Sequence, residues 1–512
     1  MPRYKPQVRD SMLLPVVLSE QLVPGSFAFA LDYLVEHELD LSALDARYRN
    51  DEVGASAYDP RVLLKIVLLG YSRGLVSSRQ LERACVHDIQ FIAISGDSHP
   101  SHAQLAKFVS TLGEELKALF HQVLLVCDGQ GLIGRELFAI DGVKLPANAS
   151  KERSGSHAEL AHRAQRLEKA ADKIVALHQM QDKGSTSPGE RALDAQRQQR
   201  VDALRREAQR TREFLAANTP RRNRKGQELK TNITDPDSAK MATSKGVIQG
   251  YAAQAAVDAQ HQVIIAADIT GSGSEQAMLL PMVEQAQPFA DAQTLITADA
   301  GYHSDANVLA LQAQGRPALI ADNQMRQRDE RFKSQAQHKT QPDPLYDKQP
   351  TGQDKPIQHF GPRDFRFDPK TRTALCPAGQ TLRSSGAIYQ VGKGQRREDF
   401  KARPEDCQGC ALRTQCLRHP ERTQARKVSL FHASEIDPND ASQRMRRAID
   451  SPQGRSLYSR RIATVEPVFA NLRHNKRLAR FTLRGTAKVR AQWQLFCLVH
   501  NIEKLAHSGW GP

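Results

Sequence analysis

"TLITADAGYHSDANVLALQAQG", residues 294–315, is the stretch on which the fold turns. Thr294, Leu295 and Ile296 read as a buried strand that ends on Asp299. Gly301 and Tyr302 turn the chain, and Val308, Leu309 and Leu311 mark a following helix. An apolar strand with a carboxylate at its tip has two readings. Asp favours turns and helix starts. It also ligates hard cations, provided partner carboxylates stand nearby.

The same device occurs earlier. In "ELFAIDGVKLPANASK", residues 136–151, Phe138, Ala139 and Ile140 form a strand expected to end on Asp141. A β-hairpin is expected from "GYAAQAAVD" (250–258) and "QVIIAADIT" (262–270), then a helix over "SEQAMLLPMVEQAQ" despite Pro281. Residues 316–322 supply a fifth strand, and a late helix carries Glu466. The amphipathic run "KVRAQWQLFCLVHNIEKLAH" closes the chain.

Two segments interrupt this order. Residues 151–230 hold Leu160, Ala164, Leu167, Ala171 and Ile174, then Val201, Leu204, Ala208, Thr211 and Leu215, at heptad-like spacing. They predict an antiparallel helical hairpin, broken at "KGSTSPGE" (183–190) and ending in a basic loop. Residues 323–455 read as a polar, irregular insert. Ahead of everything, residues 1–130 read as short helices. Pro60 suits a helix start, and Ser77/Gln80 and Ser101/Gln104 are spaced as capping boxes. A packing bundle and a DNA-reading domain are both open for this region.

With the inserts removed, the order is strand-strand-strand-helix-strand-helix-strand-helix, an α/β core. Asp141, Asp299 and Glu466 lie on the first strand, the fourth strand and the last helix. If the fourth strand lies beside the first, the acids meet. Converging carboxylates in a dry cleft call for cations. Mg²⁺ and Mn²⁺ prefer oxygen ligands, and a pair of such ions suits in-line phosphoryl displacement.

Charge points the same way. The chain of 512 residues has 72 Lys and Arg against 57 Asp and Glu, a net +15. Residues 455–490 hold ten basic residues and one acid, Glu466; residues 151–230 hold 19 basic and 11 acidic. These two segments contain the whole surplus, the footprint of a polyanionic partner. No apolar run approaches the ~18 residues that would span a bilayer, and the N-terminus does not read as a signal peptide, so a cytoplasmic protein is expected.

Of seven cysteines, Cys85, Cys127 and Cys497 sit in apolar helical contexts and read as core. Cys376, Cys407, Cys410 and Cys416 gather as C-x30-C-x2-C-x5-C, with "CPAGQTLR" resembling a zinc-ribbon knuckle. A structural Zn²⁺ and free thiols are both open. Asp235 and Asp237 in "TDPDS" read as turn residues, and Tyr302 and Trp493 as core aromatics.

On these motifs the chain resembles bacterial insertion-sequence DDE transposases. "YDPRVLLKIVLLGYSRGLVSSRQLERAC" resembles their N-terminal helical domain. "IDGVKLPANASK" and "TADAGYHS" resemble the first- and second-Asp motifs, and "YSRRIATVEPVFANLRH" the final-Glu motif. "TDPDSAKM" with "GYAAQAAVD" resembles the return to the core after a helical insert. The resemblance implies an RNase H-like mixed sheet flanked by helices, formed by residues 131–150, 231–322 and 456–512. It implies Asp141, Asp299 and Glu466 as ligands of Mg²⁺ or Mn²⁺. Tyr458 and Arg461 match the family's Tyr-Arg-Glu-Lys helix in order, but Arg461 to Glu466 is one residue longer than the commonest spacing. Arg473 stands where Lys is usual, with Lys476 three residues on. Tyr458, Arg461, Arg473, Lys476, Arg477 and Arg480 are the expected DNA contacts. The implied reaction cuts the element's terminal inverted repeats and joins them to target DNA without a nucleotide cofactor. A homodimer would hold two ends, in the bacterial cytoplasm at the nucleoid. An RNase H-like nuclease without joining, or an inert domesticated DNA-binding protein, are the alternatives.

Overall fold

The computed structural model describes residues 15–48, 56–181, 188–223, 226–243, 246–332, 359–391, 395–432 and 440–510. The chain divides into two compact units. One comprises Met1–Lys339 with Met445–Pro512, the other Thr340–Arg444.

The first unit is built on a mixed sheet of six strands. These are β1 (Leu137–Pro146), β2 (Ala239–Thr243), β3 (Gly246–Asp258), β4 (Ile264–Thr270), β5 (Leu295–Ala298) and β6 (Ala318–Ile320). The order is β2-β3-β1-β5-β6, with β4 also on the outer edge of β3. β3 is antiparallel to β1, β2 and β4, whereas β5 and β6 run parallel to β1. β3 and β4 form the expected hairpin, and Asp299 directly follows β5. β1 departs from expectation. It continues through Asp141 to Pro146 because Gly142–Pro146 pair with Gly250–Gln254 of the long partner strand.

The N-terminal helices include α1 (Phe27–Tyr33), α2 (Pro60–Ser72), α3 (Ser78–His87), α4 (Ile89–Ser95), α5 (His102–Thr111) and α6 (Glu114–Gly129). Pro60 occupies the first turn of α2, and Asp59 accepts a hydrogen bond from the Arg61 amide. α2 is buried on nearly every side. Its one charged buried residue, Lys65, is neutralised by Asp32 and Glu36, each at 2.7 Å. Ser101 and Gln104 form a reciprocal capping box on α5. Ser77 makes no side-chain cap on α3, so the spacing there was not followed by the bond.

After β1 come α7 (His157–Gln181) and α8 (Pro188–Ala217), which pack as a hairpin. Leu160, Ala164 and Ala171 face Val201, Ala208 and Thr211 in its buried seam. Ion pairs Arg163–Glu207 (2.8 Å) and Arg212–Glu168 (2.6 Å) cross it. Most of the expected break between the helices lies outside the described residues. The sheet's helices are α9 (Leu279–Ala286), α10 (Asp305–Ala313), α11 (Pro452–Ala470) and α12 (Thr486–His507).

α12 is the spine of the unit. It packs on α2 and α6 and also on β4, so N-terminal helices and sheet share one continuous core from Ala28 to Leu505. Its polar residues are matched to backbone. Asn501 exchanges two bonds with Ile264, and Gln492 accepts from Thr482 and Leu483. Asp237 accepts from the Thr486 amide, while Asp235 accepts from Tyr251 Oη and the Gly485 amide. Those two acids therefore dock the start of α12, in keeping with their reading as turn residues. Among the described residues no helix is long and apolar enough to cross a membrane.

The second unit differs from the irregular insert expected. It holds a five-stranded antiparallel sheet of β7 (Arg366–Asp368), β8 (Thr373–Leu375), β9 (Thr381–Val391), β10 (Gln395–Lys401) and β11 (Lys427–His432) in sequential order. Two of its strands are only three residues long and Gln395–Lys401 is mostly charged, which hid them. The core they cover is small, with Phe365, Ala374, Leu382, Phe400 and Val428 at its centre.

His500 on α12 is fully enclosed, and burial pushes its imidazole down to about 4. Nε2 sits 2.8 Å from the Gln262 carbonyl, which only an N–H can satisfy; Nδ1 then accepts from Asn471 at 3.0 Å. The folded state holds neutral histidine while the unfolded chain binds a proton near pH 6.5. Stability from this group is therefore present above that pH and is lost as pH falls toward 4. Urea unfolding at pH 7.5 and pH 5 is expected to differ by about 2 kcal/mol more in the wild type than in His500→Gln. Equal pH dependence in the two proteins would contradict the assignment.

Candidate active site

The site begins where β1 and β5 lie side by side. Ile140 pairs with Ala298, so the next residues, Asp141 within β1 and Asp299 just past the end of β5, stand at the same level on neighbouring parallel chains. Each carboxylate is anchored by a nearby glycine amide. Gly142 N–H donates to Asp141 Oδ1 and Gly301 N–H to Asp299 Oδ1, both at 2.8 Å. Burial raises the Asp141 carboxyl above its usual range; Arg461 opposes this and the Asp299 charge adds to it.

Arg461 comes from α11, which packs across β1, β3 and β5. The residue is only 8% exposed, and its Nη1 lies 2.6 Å from Asp141 Oδ2. Its Nε has no partner among the described residues. One turn earlier, the Tyr458 ring lies 5.6 Å from the guanidinium. Burial raises the Tyr458 phenol, with Arg461 opposing.

Below the acids runs a buried polar chain. Gln254 on β3, opposite Gly142 of β1, is completely enclosed. Tyr302 Oη donates to Gln254 Oε1, and Trp493 Nε1 donates to the Gln254 carbonyl at 2.9 Å. Tyr302 and Trp493 are thus core residues with defined polar tips, not exposed stacking platforms. Sequence reading did not find Gln254, because a lone amide inside an alanine-rich strand carries no motif.

Glu275, also missed, precedes the 3₁₀ turn Gln276–Met278. Burial raises its carboxyl, and the charges of Asp299 and Asp141 add to the effect while Lys144 opposes it. Glu466, in contrast, is exposed on α11 and makes no hydrogen bond or ion pair among the described residues. It stands five residues beyond Arg461, about 140° around the helix. Val465, four residues beyond Arg461, takes the inward place. Thus the structure brings Asp141, Asp299, Tyr458 and Arg461 together and leaves Glu466 on another side of the helix.

The other expected DNA contacts separate into two groups. Lys476 is buried and paired with Glu503, so its charge is used internally. Arg473, Arg477 and Arg480 are exposed. Arg480 donates to Asn148 Oδ1 at 3.0 Å, and Arg484 to the Asn148 carbonyl at 2.8 Å, beside the chain that leaves β1.

In the second unit, Cys376, Cys407, Cys410 and Cys416 line one apolar cavity. Burial raises the Cys416 thiol; Arg426 opposes and the other three cysteines add to it. Cys376 Sγ accepts the Gln380 amide at 3.2 Å in a tight turn through Gly379, whose φ is +79°. Among the described residues, no three His, Cys, Asp or Glu side chains are gathered closely enough to hold a metal ion, in either unit. The donor sets still fit by chemistry. Crowded carboxylates suit a hard cation, and four thiols around one cavity suit zinc. Cys85, Cys127 and Cys497 are buried in the first unit's core as expected.

Two family models match the chain. One, described as a transposase DDE domain, covers residues 375–506, including the four cysteines, Arg461 and Glu466. The other, described as a transposase domain (DUF772), covers residues 16–111, most of the N-terminal helices. No curated protein matches. Both matches point to one kind of protein, an insertion-sequence DDE transposase, and hence to DNA as its partner.

The polar chain beneath the acids gives a direct test. Tyr302→Phe removes the donor to Gln254 Oε1 and leaves a fully buried acceptor unsatisfied. A loss of about 1–3 kcal/mol in unfolding free energy is expected from denaturant titration. Unchanged stability would mean that the Tyr302–Gln254 bond contributes nothing net.

Proposed function

We propose that this protein cuts the ends of an insertion sequence and joins them to target DNA at the Asp141–Asp299 site. The observation that carries the reading is the pairing of these two carboxylates on adjacent parallel strands, against a buried arginine. Asp141 and Asp299 would hold Mg²⁺ or Mn²⁺, with Glu466, the acid implied by the family pattern, as the third carboxylate. A bound ion pair would supply an activated oxygen nucleophile and charge neutralisation for in-line displacement at phosphorus.

The chain's own residues do the rest. Arg461 neutralises Asp141 in the absence of other cations. Once that carboxylate is otherwise compensated, its planar fork suits a phosphate oxygen. Tyr458 limits where the guanidinium can move. Exposed Arg473, Arg477, Arg480 and Arg484 lie on the segment after α11 and suit the DNA backbone. Two copies of the chain would hold two element ends. The N-terminal helices, which match a transposase family of their own, are the proposed end-binding region.

The test uses duplex DNA from the sequences flanking this gene, with Mg²⁺ or Mn²⁺. Wild type is expected to give cleaved and joined products, and Asp299→Ala to lose both, by at least about a hundredfold, while still binding the ends. Cleavage without joining would make the protein a nuclease. Binding without chemistry in either protein would leave a DNA-binding protein alone.

In the second unit we propose a structural Zn²⁺ held by Cys376, Cys407, Cys410 and Cys416. The Gln380 amide aimed at Cys376 Sγ supports it, since such a bond stabilises thiolate. Purified protein is expected to carry one zinc per chain, and Cys410→Ser to lose it along with the second unit's resistance to proteolysis. A metal-free wild type with the same resistance would contradict the assignment.

A further inference from the structure

We propose that Glu275 is a carboxylate ligand of the same divalent-cation site, drawn in beside Asp141 and Asp299 when the ion binds, since the three side chains as they stand are not gathered closely enough to hold one. The inference rests on the reading of those two aspartates as a metal-binding pair, and it adds an acid that no sequence motif marks.

Three observations carry it. The first is position. Gly301 has no side chain, and the space beside it is taken by two carboxylates. A Cβ there would lie 2.9 Å from Glu275 Oε2 and 3.0 Å from Asp299 Oδ1. The glycine that turns the chain after Asp299 thereby admits Glu275 to the aspartate.

The second is anchorage. Gln276 Nε2 donates to the His303 carbonyl at 2.9 Å, and Asn307 Nδ2 donates to the Gln276 carbonyl at 2.8 Å. Asn307 also donates to the Tyr302 carbonyl at 2.8 Å. The residue after Glu275 is therefore tied to the turn that follows Asp299. Glu275 is not at the tip of a loose loop.

The third points to a ligand. Gln254 is fully buried, and Tyr302 fixes its amide by donating to Oε1. This leaves Gln254 Nε2, a buried donor, without a hydrogen-bond partner among the described residues. A Cβ on Gly142, the residue after Asp141, would lie 2.6 Å from that nitrogen. The donor thus stands beside Asp141's strand and faces the Glu275 carboxylate from outside hydrogen-bonding geometry. An acceptor oxygen is called for there: a carboxylate drawn inward, or a water on a bound cation. Carboxylates that share a half-buried cleft repel one another, and a divalent ion would offset that repulsion. The inward face of α11 offers no competing acid, since it carries Arg461, Thr464, Val465 and Val468.

Mn²⁺ uptake by the full chain bound to end duplex, followed by electron paramagnetic resonance of the free ion, tests this without turnover. Wild type, Glu275→Gln and Asp299→Asn are compared, each first checked for metal-free DNA binding and thermal unfolding. Glu275→Gln is expected to weaken Mn²⁺ binding at least about tenfold. Wild-type affinity in Glu275→Gln, with loss in Asp299→Asn, overturns the role of Glu275 and leaves the aspartate pair standing. Wild-type affinity in Asp299→Asn, or no uptake by wild type, overturns both. Should Glu275→Gln fail to fold, Glu275→Ala takes its place with the same expectations.

Discussion

The rest of the structure depends on a repulsion held in check. Asp141 within β1 and Asp299 at the tip of β5 stand at one level, half removed from water, and Arg461 offsets the first of them at 2.6 Å. Two carboxylates cannot be held so close without a cation or a shared proton. The fold supplies one cation from α11 and fixes each acid with a glycine amide. A side chain at Gly142 would enter the space of Gln254, and one at Gly301 that of Glu275 and Asp299. The backbone at these two glycines, more than the acids themselves, sets the dimensions of the site.

Beneath it, α12 converts the site into a property of the whole unit. Trp493 holds the Gln254 carbonyl, while Asn501 and His500 hold the edge where β4 begins. The same helix packs against the N-terminal α2 and α6. Displacement of the N-terminal helices would therefore be felt in β3, one strand from Asp141. That coupling suits an enzyme whose chemistry must wait for correctly bound DNA.

Much of this was legible in the sequence because it is periodic or punctuated. Apolar runs bounded by turn residues marked β3, β4 and β5, and heptad spacing marked α7 and α8. The repeated strand-then-Asp device gave Asp141 and Asp299. What escaped did so for physical reasons. β1 runs on past Asp141 because its partner strand is long, a tertiary fact. β7 and β8 are only three residues long and β10 is mostly charged, so neither length nor composition marked the second unit's strands. Glu275 follows Gly271–Ser274, a polar stretch with no pattern of its own, and is recruited by folding to Asp299. The family-like spacing around Glu466 was already one residue long. The helix turns that single residue into a different face, with Val465 inward.

In the proposed reaction Arg461 keeps a place at Asp141 that a divalent ion would take once DNA is bound. A crystal structure of the complex with end duplex and Mn²⁺, with anomalous scattering recorded at the manganese edge, tests it most directly. The expected result is an anomalous peak at the Asp141 and Asp299 carboxylates, with Arg461 moved from Asp141 onto a phosphate oxygen. An ordered end duplex with no peak there, and Arg461 still paired with Asp141, would contradict it.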